Sequence, residues 1–166
     1  VKLIEVALLE KETQKPGTFV GARPSKESMN MIQDQIKKLD VPNPIDKGKM
    51  HITVIYSRKH LPDFKARGKL DKPIIAKPDK LHIFPARDSK NALVLKIKCP
   101  ELTKRHEEIM DEHEATYDFD EYRPHVTLSY DAGDYDLSKY NADDFSDIEI
   151  TEEYDTPLKT DWLVKK

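Results

Sequence analysis

The chain has 166 residues, with 28 Lys or Arg against 31 Asp or Glu and a net charge of -3, a size that suits one domain with a modest core. Hydrophobic residues make up 37% and charged residues 36%, yet Leu, Ile, Val, Phe and Tyr recur along nearly the whole length, which excludes wholesale disorder. No apolar run approaches the roughly 18 residues that cross a bilayer, and the single cysteine, Cys99, excludes a disulfide framework and suits a reducing compartment.

The N-terminal stretch VKLIEVALLEKE alternates charged and apolar residues without a signal-peptide core, so a cytosolic protein is expected. Residues 18–23 (TFVGAR) read as a strand ending at Pro24. Ser25 is a good N-cap, and Met29, Ile32, Ile36 and Leu39 follow at helical spacing, which predicts a helix over residues 26–39. Two prolines and a glycine make residues 41–49 a turn region, and the β-branched run MHITVIY predicts a strand over 50–56. After a polar loop through Gly68, residues 73–85 and 91–98 read as two strands flanking the turn-like RDSK. In the second, Leu93, Leu95 and Ile97 share one face. Leu102, His106, Ile109 and His113 then share a helical face, so a helix is predicted over Pro100–His113 with proline at its start. Residues 123–130 form a further strand, residues 148–151 a short one, and the tail from Asp143 is acidic with a lone Trp162. This order predicts a single α+β domain over residues 1–166, built of two similar halves.

Charge is unevenly spread. Residues 37–105 hold 18 Lys or Arg against 7 acids, and residues 111–155 hold 2 against 16. The acidic block makes duplex nucleic acid a poor partner, whereas the basic half suits a small anion. No membrane contact and no obligate protein partner are expected.

The most informative feature is internal. His51-Ile52-Thr53-Val54-Ile55-Tyr56 and His125-Val126-Thr127-Leu128-Ser129-Tyr130 share a pattern of histidine, apolar, threonine, apolar, any residue, tyrosine. On a strand, residues two apart share a face, so each His projects with its Thr while Ile52, Val54, Val126 and Leu128 face the core. One such tetrapeptide arises by chance in roughly one chain in fifty, and two together are rarer by about two orders of magnitude. Two imidazoles and two hydroxyls facing polar space are what metal-free phosphodiester cleavage requires. One neutral imidazole takes a proton from the attacking hydroxyl, and the other, protonated, gives one to the leaving oxygen. The threonines donate to the non-bridging phosphate oxygens. No Cys or further His stands at a ligand-like spacing from His51 and His125, so no metal or other cofactor is expected. His106 and His113 read as boundary packing, His82 alternates with Phe84, and Cys99 reads as a small buried hydrophobe.

With these two motifs the chain resembles the 2H phosphoesterase superfamily. Through GTFVGARP, MHITVIYS, KLHIFPARDSKNALVLKIKCPELTKRHEEIM and RPHVTLSYD it is similar, over essentially its whole length, to the phage anti-CBASS family of type one. CBASS is a bacterial defence that signals infection with cyclic oligonucleotides. The resemblance implies a two-lobed, pseudo-symmetric α+β fold, with antiparallel sheets around a central cleft and flanking helices. It implies metal-independent cleavage of 3′–5′ bonds in cyclic di- and trinucleotides such as 3′,3′-cyclic GMP-AMP, in the host cytosol during infection. Carried over by motif, His51, Thr53, His125 and Thr127 are the expected catalytic set, with the roles of base and acid open between the histidines. Phe19 and Phe84 are expected to flank the cleft and stack on bases. Glu153 is expected to accept from a base amino group, and the tail 143–166 to close over the ligand through Trp162. The alternatives are another 2H reaction, on 2′,3′-cyclic phosphates or linear RNA ends, or a sponge that binds cyclic nucleotides without cutting them.

Overall fold

Among the described residues, apolar alternation builds six strands and two amphipathic stretches build two α-helices. The computed structural model describes residues 15–85, 88 and 90–158. In chain order these form β1 (Thr18–Pro24), α1 (Lys26–Lys38), β2 (Ile52–Ser57), β3 (Gly68–Phe84), β4 (Ala92–Lys98), α2 (Pro100–His113), β5 (His125–Ser129) and β6 (Ile148–Pro157). The strands close in the order β1-β2-β5-β4-β3-β6, every neighbouring pair antiparallel.

The expected plurality of sheets is therefore corrected to one closed sheet. Its continuity comes from β3, a strand of 17 residues. Gly68–Ala76 pairs with β6, and Lys77–Phe84 pairs with β4, so one strand carries the ladder across both halves. Its first residues, GKLDK, lack apolar alternation, which is why the sequence places its start at residue 73; they are held by facing β6, where Lys69 lies opposite Glu152.

The acidic tail is likewise not a free segment up to residue 158. β6 spans ten residues instead of four and is paired on both sides, with β1 and β3. The N-terminal stretch through residue 14, Arg87 and Ser89 of the expected turn, and Trp162 lie outside the described residues.

The core follows the periodicity. Ile52, Val54, Val126 and Leu128 are fully buried, together with Leu93 and Leu95 of β4. Ser25 caps α1, its hydroxyl accepting from the Ser28 N–H at 3.1 Å, and Ile32 and Ile36 pack inward. Helix α2 starts on Pro100, buries Leu102, His106 and Ile109, and stops at Glu114 in the left-handed conformation (φ 50°). His106 is a packing residue, as expected; its Nδ1–H donates to the Val54 carbonyl at 2.7 Å. Among the described residues no helix is long and apolar enough to cross a membrane.

Candidate active site

Strands β2 and β5 meet in antiparallel register at Ile52 and Val126. One step to either side of that pair sets His51 across from Thr127 and Thr53 across from His125. Because Ile52 and Val126 point into the core, the four polar side chains point the other way. They line one cleft of about 860 Å³, within the usual range for small-molecule sites.

The two motifs are held alike. The Nδ1 of His51 lies 2.9 Å from the carbonyl of Lys49, and the Nδ1 of His125 lies 2.9 Å from the carbonyl of Arg123. A carbonyl only accepts, so each Nδ1 carries the proton, and in the neutral ring Nε2 is left with its lone pair free. Each imidazole also meets one phenylalanine edge-on. Phe19 and His51 have ring centroids 5.5 Å apart, and so do Phe84 and His125. Burial lowers the pKa of His125 and the positive fields of His51 and Lys96 lower it further, against the opposing hydrogen bond to Arg123.

Strand β2 is buttressed from α2 and the segment after it. Tyr122 donates its hydroxyl to the Thr53 carbonyl at 2.7 Å and stacks on His106 at 4.3 Å. With the His106 bond to Val54, two successive β2 carbonyls thus accept from side chains of α2 and the segment after it. Tyr117 and Phe119 of the same segment line the cleft. Arg58 fastens that segment through a bidentate pair to Asp118 at 3.0 and 3.1 Å, and the Thr116 hydroxyl accepts from the Arg58 N–H at 2.9 Å. On the other flank, Gly21 has no side chain because the Tyr154 ring lies across it. A Cβ there would come within 2.6 Å of that ring and 2.9 Å of Phe19.

His51, Thr53, His125, Thr127, Phe19 and Phe84 are thus brought together in one cleft. Glu153 is not. Its carboxylate is 2% exposed and receives bonds from Arg67 and Arg105, each at 2.9 Å. With the Arg67 backbone N–H at 3.1 Å the two oxygens accept four bonds, two each, which fills their capacity and leaves no acceptor for a base.

The site can be set beside known proteins. The family model described as "Anti-CBASS protein Acb1" matches residues 16–165. The chain belongs to the Anti-CBASS protein Acb1 family. The Acb1 protein of Vibrio phage KVP40 is 33% identical over 155 residues, covering 93% of this chain and 96% of that one. The Acb1 protein of Enterobacteria phage T4 is 33% identical over 146 residues, covering 88% and 91%. Among solved structures, TT0787 of Thermus thermophilus superposes with a TM-score of 0.53 at 15% identity, covering 84% of this chain and 83% of that one. At that identity it bears on the fold alone. Membership in the Acb1 family associates this chain with counteracting CBASS signalling.

Nine further residues line the cleft of this Acb1-family chain without having stood out in its sequence, among them Tyr56, Tyr130, Tyr117, Phe119 and Arg123. The first two stand at the repeated sixth position of the motif, which was signal enough. Tyr117 and Phe119 sit in an acidic run, YDFDEYR, where charge density hides aromatic spacing.

Proposed function

We propose that this protein hydrolyses 3′–5′ phosphodiester bonds of cyclic di- and trinucleotide defence signals without a metal, acting in the infected bacterial cytosol to silence CBASS. One observation carries the reading: two His–Thr pairs face each other across the Ile52–Val126 junction in one cleft, each imidazole fixed through Nδ1. On this reading the halves around that junction are pseudo-repeated lobes of a single domain.

The chemistry follows from the groups. In the first step one Nε2 takes the proton of a ribose 2′-hydroxyl, the O2′–P bond forms, and the P–O5′ bond breaks. The second imidazole gives its Nε2 proton to O5′. Thr53 and Thr127 donate to the non-bridging oxygens, where charge builds as phosphorus becomes five-coordinate. In the second step water adds to the 2′,3′-cyclic phosphate, the histidines exchange roles, and the P–O2′ bond opens to leave a 3′-phosphate. His125, with its lowered pKa, suits the base of the first step, leaving His51 as the acid. Phe19 and Phe84, each beside one histidine, offer faces for the two bases flanking the scissile phosphate.

The deciding experiment incubates the protein with 3′,3′-cyclic GMP-AMP in excess EDTA and resolves products by mass. Linear product from the wild type, absent with His51→Ala and His125→Ala, is the expected result. Intact ligand recovered from a tight complex would make the protein a sponge. Cleavage of 2′,3′-cyclic or linear RNA ends alone would make it a different 2H enzyme.

A further inference from the structure

The two halves of the cleft match in histidine, threonine, phenylalanine and backbone carbonyl, but not in charge. On the β1–β6 side the cation next to the aromatic bed is Arg23, which lies 4.5 Å over the Tyr154 ring and is neutralised by Glu152 at 3.0 Å. On the β3–β4–β5 side cations accumulate. Lys96 of β4 lies between two neighbours in register, His125 on β5 and Lys80 on β3. Arg123 is two residues from His125, and its partner Glu121 is an exposed carboxylate at 3.3 Å. Lys98, further along β4, has Asp79 at 3.6 Å. Among the described residues neither Lys80 nor Lys96 has a carboxylate in ion-pair range.

Like charges directly opposite on a sheet oppose folding, so Lys80 against Lys96 calls for an explanation. Lys96 is half-buried, with its ammonium 5.7 Å over the Phe84 ring, the ring that also meets His125. Burial lowers its pKa, and the fields of Lys80 and Arg123 add to that, against the smaller opposing fields of Asp79 and Glu121. His82, edge-on to Phe84 at 4.7 Å, is lowered by burial and by the same three cations. The group thus holds an excess of positive charge over an aromatic floor, next to one reacting imidazole. Lys49 stands to His51 as Arg123 does to His125, and it has Asp46 at 3.9 Å. The asymmetry therefore lies in Lys96 and Lys80, whose places on the other side are taken by Arg23 and its partner Glu152.

A single phosphate at the two His–Thr pairs leaves this excess unused. A cyclic oligonucleotide always brings a second phosphate. We propose that Lys80, Lys96 and Arg123 hold a phosphate that is not being cut, so that the ring enters with its second phosphodiester on the β3–β4 side. Two strand spacings separate β5 from β3, about 10 Å. Arg123 lines the cleft, while Lys96 and Lys80 stand beside it next to Phe84, on the side away from the lining carboxylates Asp118, Asp120 and Glu121 of the segment between α2 and β5. The inference rests on the cyclic-nucleotide reading above and adds to it a fixed orientation of the ring in a site whose catalytic groups are nearly symmetric.

The test compares the wild type with Lys80→Gln, Lys96→Gln and the double variant. One assay measures equilibrium binding and kcat/KM for 3′,3′-cyclic GMP-AMP. The other measures kcat/KM for a linear dinucleoside monophosphate, which has one phosphodiester and no other phosphate. Each substitution is expected to weaken cyclic dinucleotide binding by about tenfold, the scale of one charge-assisted hydrogen bond. The loss on the linear substrate is expected to be clearly smaller, and Lys96→Arg is expected to recover most of the affinity. Equal losses on both substrates, or no loss of affinity in the double variant, would overturn the inference while leaving the proposed activity standing. A wild type that binds the cyclic dinucleotide without cutting it would overturn the activity, and the variants' affinities would still decide the subsite. A wild type that neither binds nor cuts it would overturn both.

Discussion

His125 donates its Nδ1–H to the backbone carbonyl of Arg123 at 2.9 Å, and this bond decides which ring nitrogen serves the cleft. A carbonyl cannot donate in return, so the bond holds one tautomer whichever partner occupies the site. His51 has the same arrangement with Lys49. Replacing either histidine by alanine is expected to lower kcat by about 10²–10⁴-fold, and the double variant to lose little more than the worse single one, because the two act as a unit.

The same site predicts a pH profile. The pKa of His125 is held below its ordinary value, chiefly by burial. A base works only when neutral, and it is neutral above its pKa, so activity falls as pH drops through that value. The acidic limb of kcat/KM is therefore expected below about pH 6.5, the unperturbed imidazole value. In Lys96→Gln, with one depressing charge removed, that limb is expected to move upward. A limb well above pH 7 would count against His125 as the first-step base.

Gly21→Ala tests the aromatic bed. The added Cβ would come within 2.6 Å of the Tyr154 ring and 2.9 Å of Phe19, so at least one ring must move. A loss of about 1–3 kcal/mol in unfolding free energy is expected, the scale of overpacking, together with a rise in KM larger than the change in kcat. Unchanged KM would separate the Phe19 face from ligand binding.

Glu153→Gln tests a structural role. Burial alone would raise this carboxyl's pKa, but the bonds from Arg105 and Arg67 more than reverse that, and it is held below the ordinary carboxylate range. Removing its charge leaves the half-exposed Arg67 without a counter-ion and Arg105 with Glu108 alone at 3.6 Å, and a destabilisation of about 2–3 kcal/mol, below the scale of a fully buried pair, is expected in chemical denaturation. Because the folded pKa is depressed, the stabilisation is complete above the unfolded value. It drains away as pH falls through the folded one. Wild-type stability is thus expected to decline below about pH 4.5, and the variant's to decline less. Equal stability of the two proteins at pH 7 would dismiss the role.

Arg58→Ala tests the clamp on the segment that carries Tyr117 and Phe119. The pair with Asp118 is exposed on the arginine side, so thermal stability is expected to change little. Its effect is expected in KM, several-fold upward, because the segment over the cleft loses its bidentate tie while both histidines remain in place. A fall in kcat at constant KM would point instead to a disturbance of the reacting groups.

The strands and helices with strong apolar periodicity are legible in the sequence. Residues 26–39 were expected as a helix and Lys26–Lys38 is one; Pro100–His113 was placed to the residue. The failures share a cause. GKLDK at the start of β3 and EEYDTP at the end of β6 are polar and carry no alternation, and they are strands because each faces another strand across a ladder. Glu153 illustrates the same limit at the site. A carboxylate in an acidic tail is expected to be free to accept from a base amino group, but Arg67 and Arg105, distant in sequence, converge on it. His51, Thr53, His125 and Thr127 were legible because duplication leaves a pattern that one sequence can display. The cluster of Lys80, Lys96 and Arg123 was not, since it depends on register between three strands.

The junction of β2 and β5 has a dynamic consequence. Every other neighbouring pair in the closed sheet is stitched at four or more positions, whereas these two strands meet at Ile52 and Val126 alone. The seam of the barrel is thus its least cross-linked line, and it runs directly beneath the reacting groups. Local opening there needs few bonds to break, so amides along β2 and β5 that face the seam should exchange with solvent sooner than those of β3 or β6. A ligand touching His51 and Thr53 on one side and His125 and Thr127 on the other would act as a staple, and its arrival should be recorded as slowed exchange along that line.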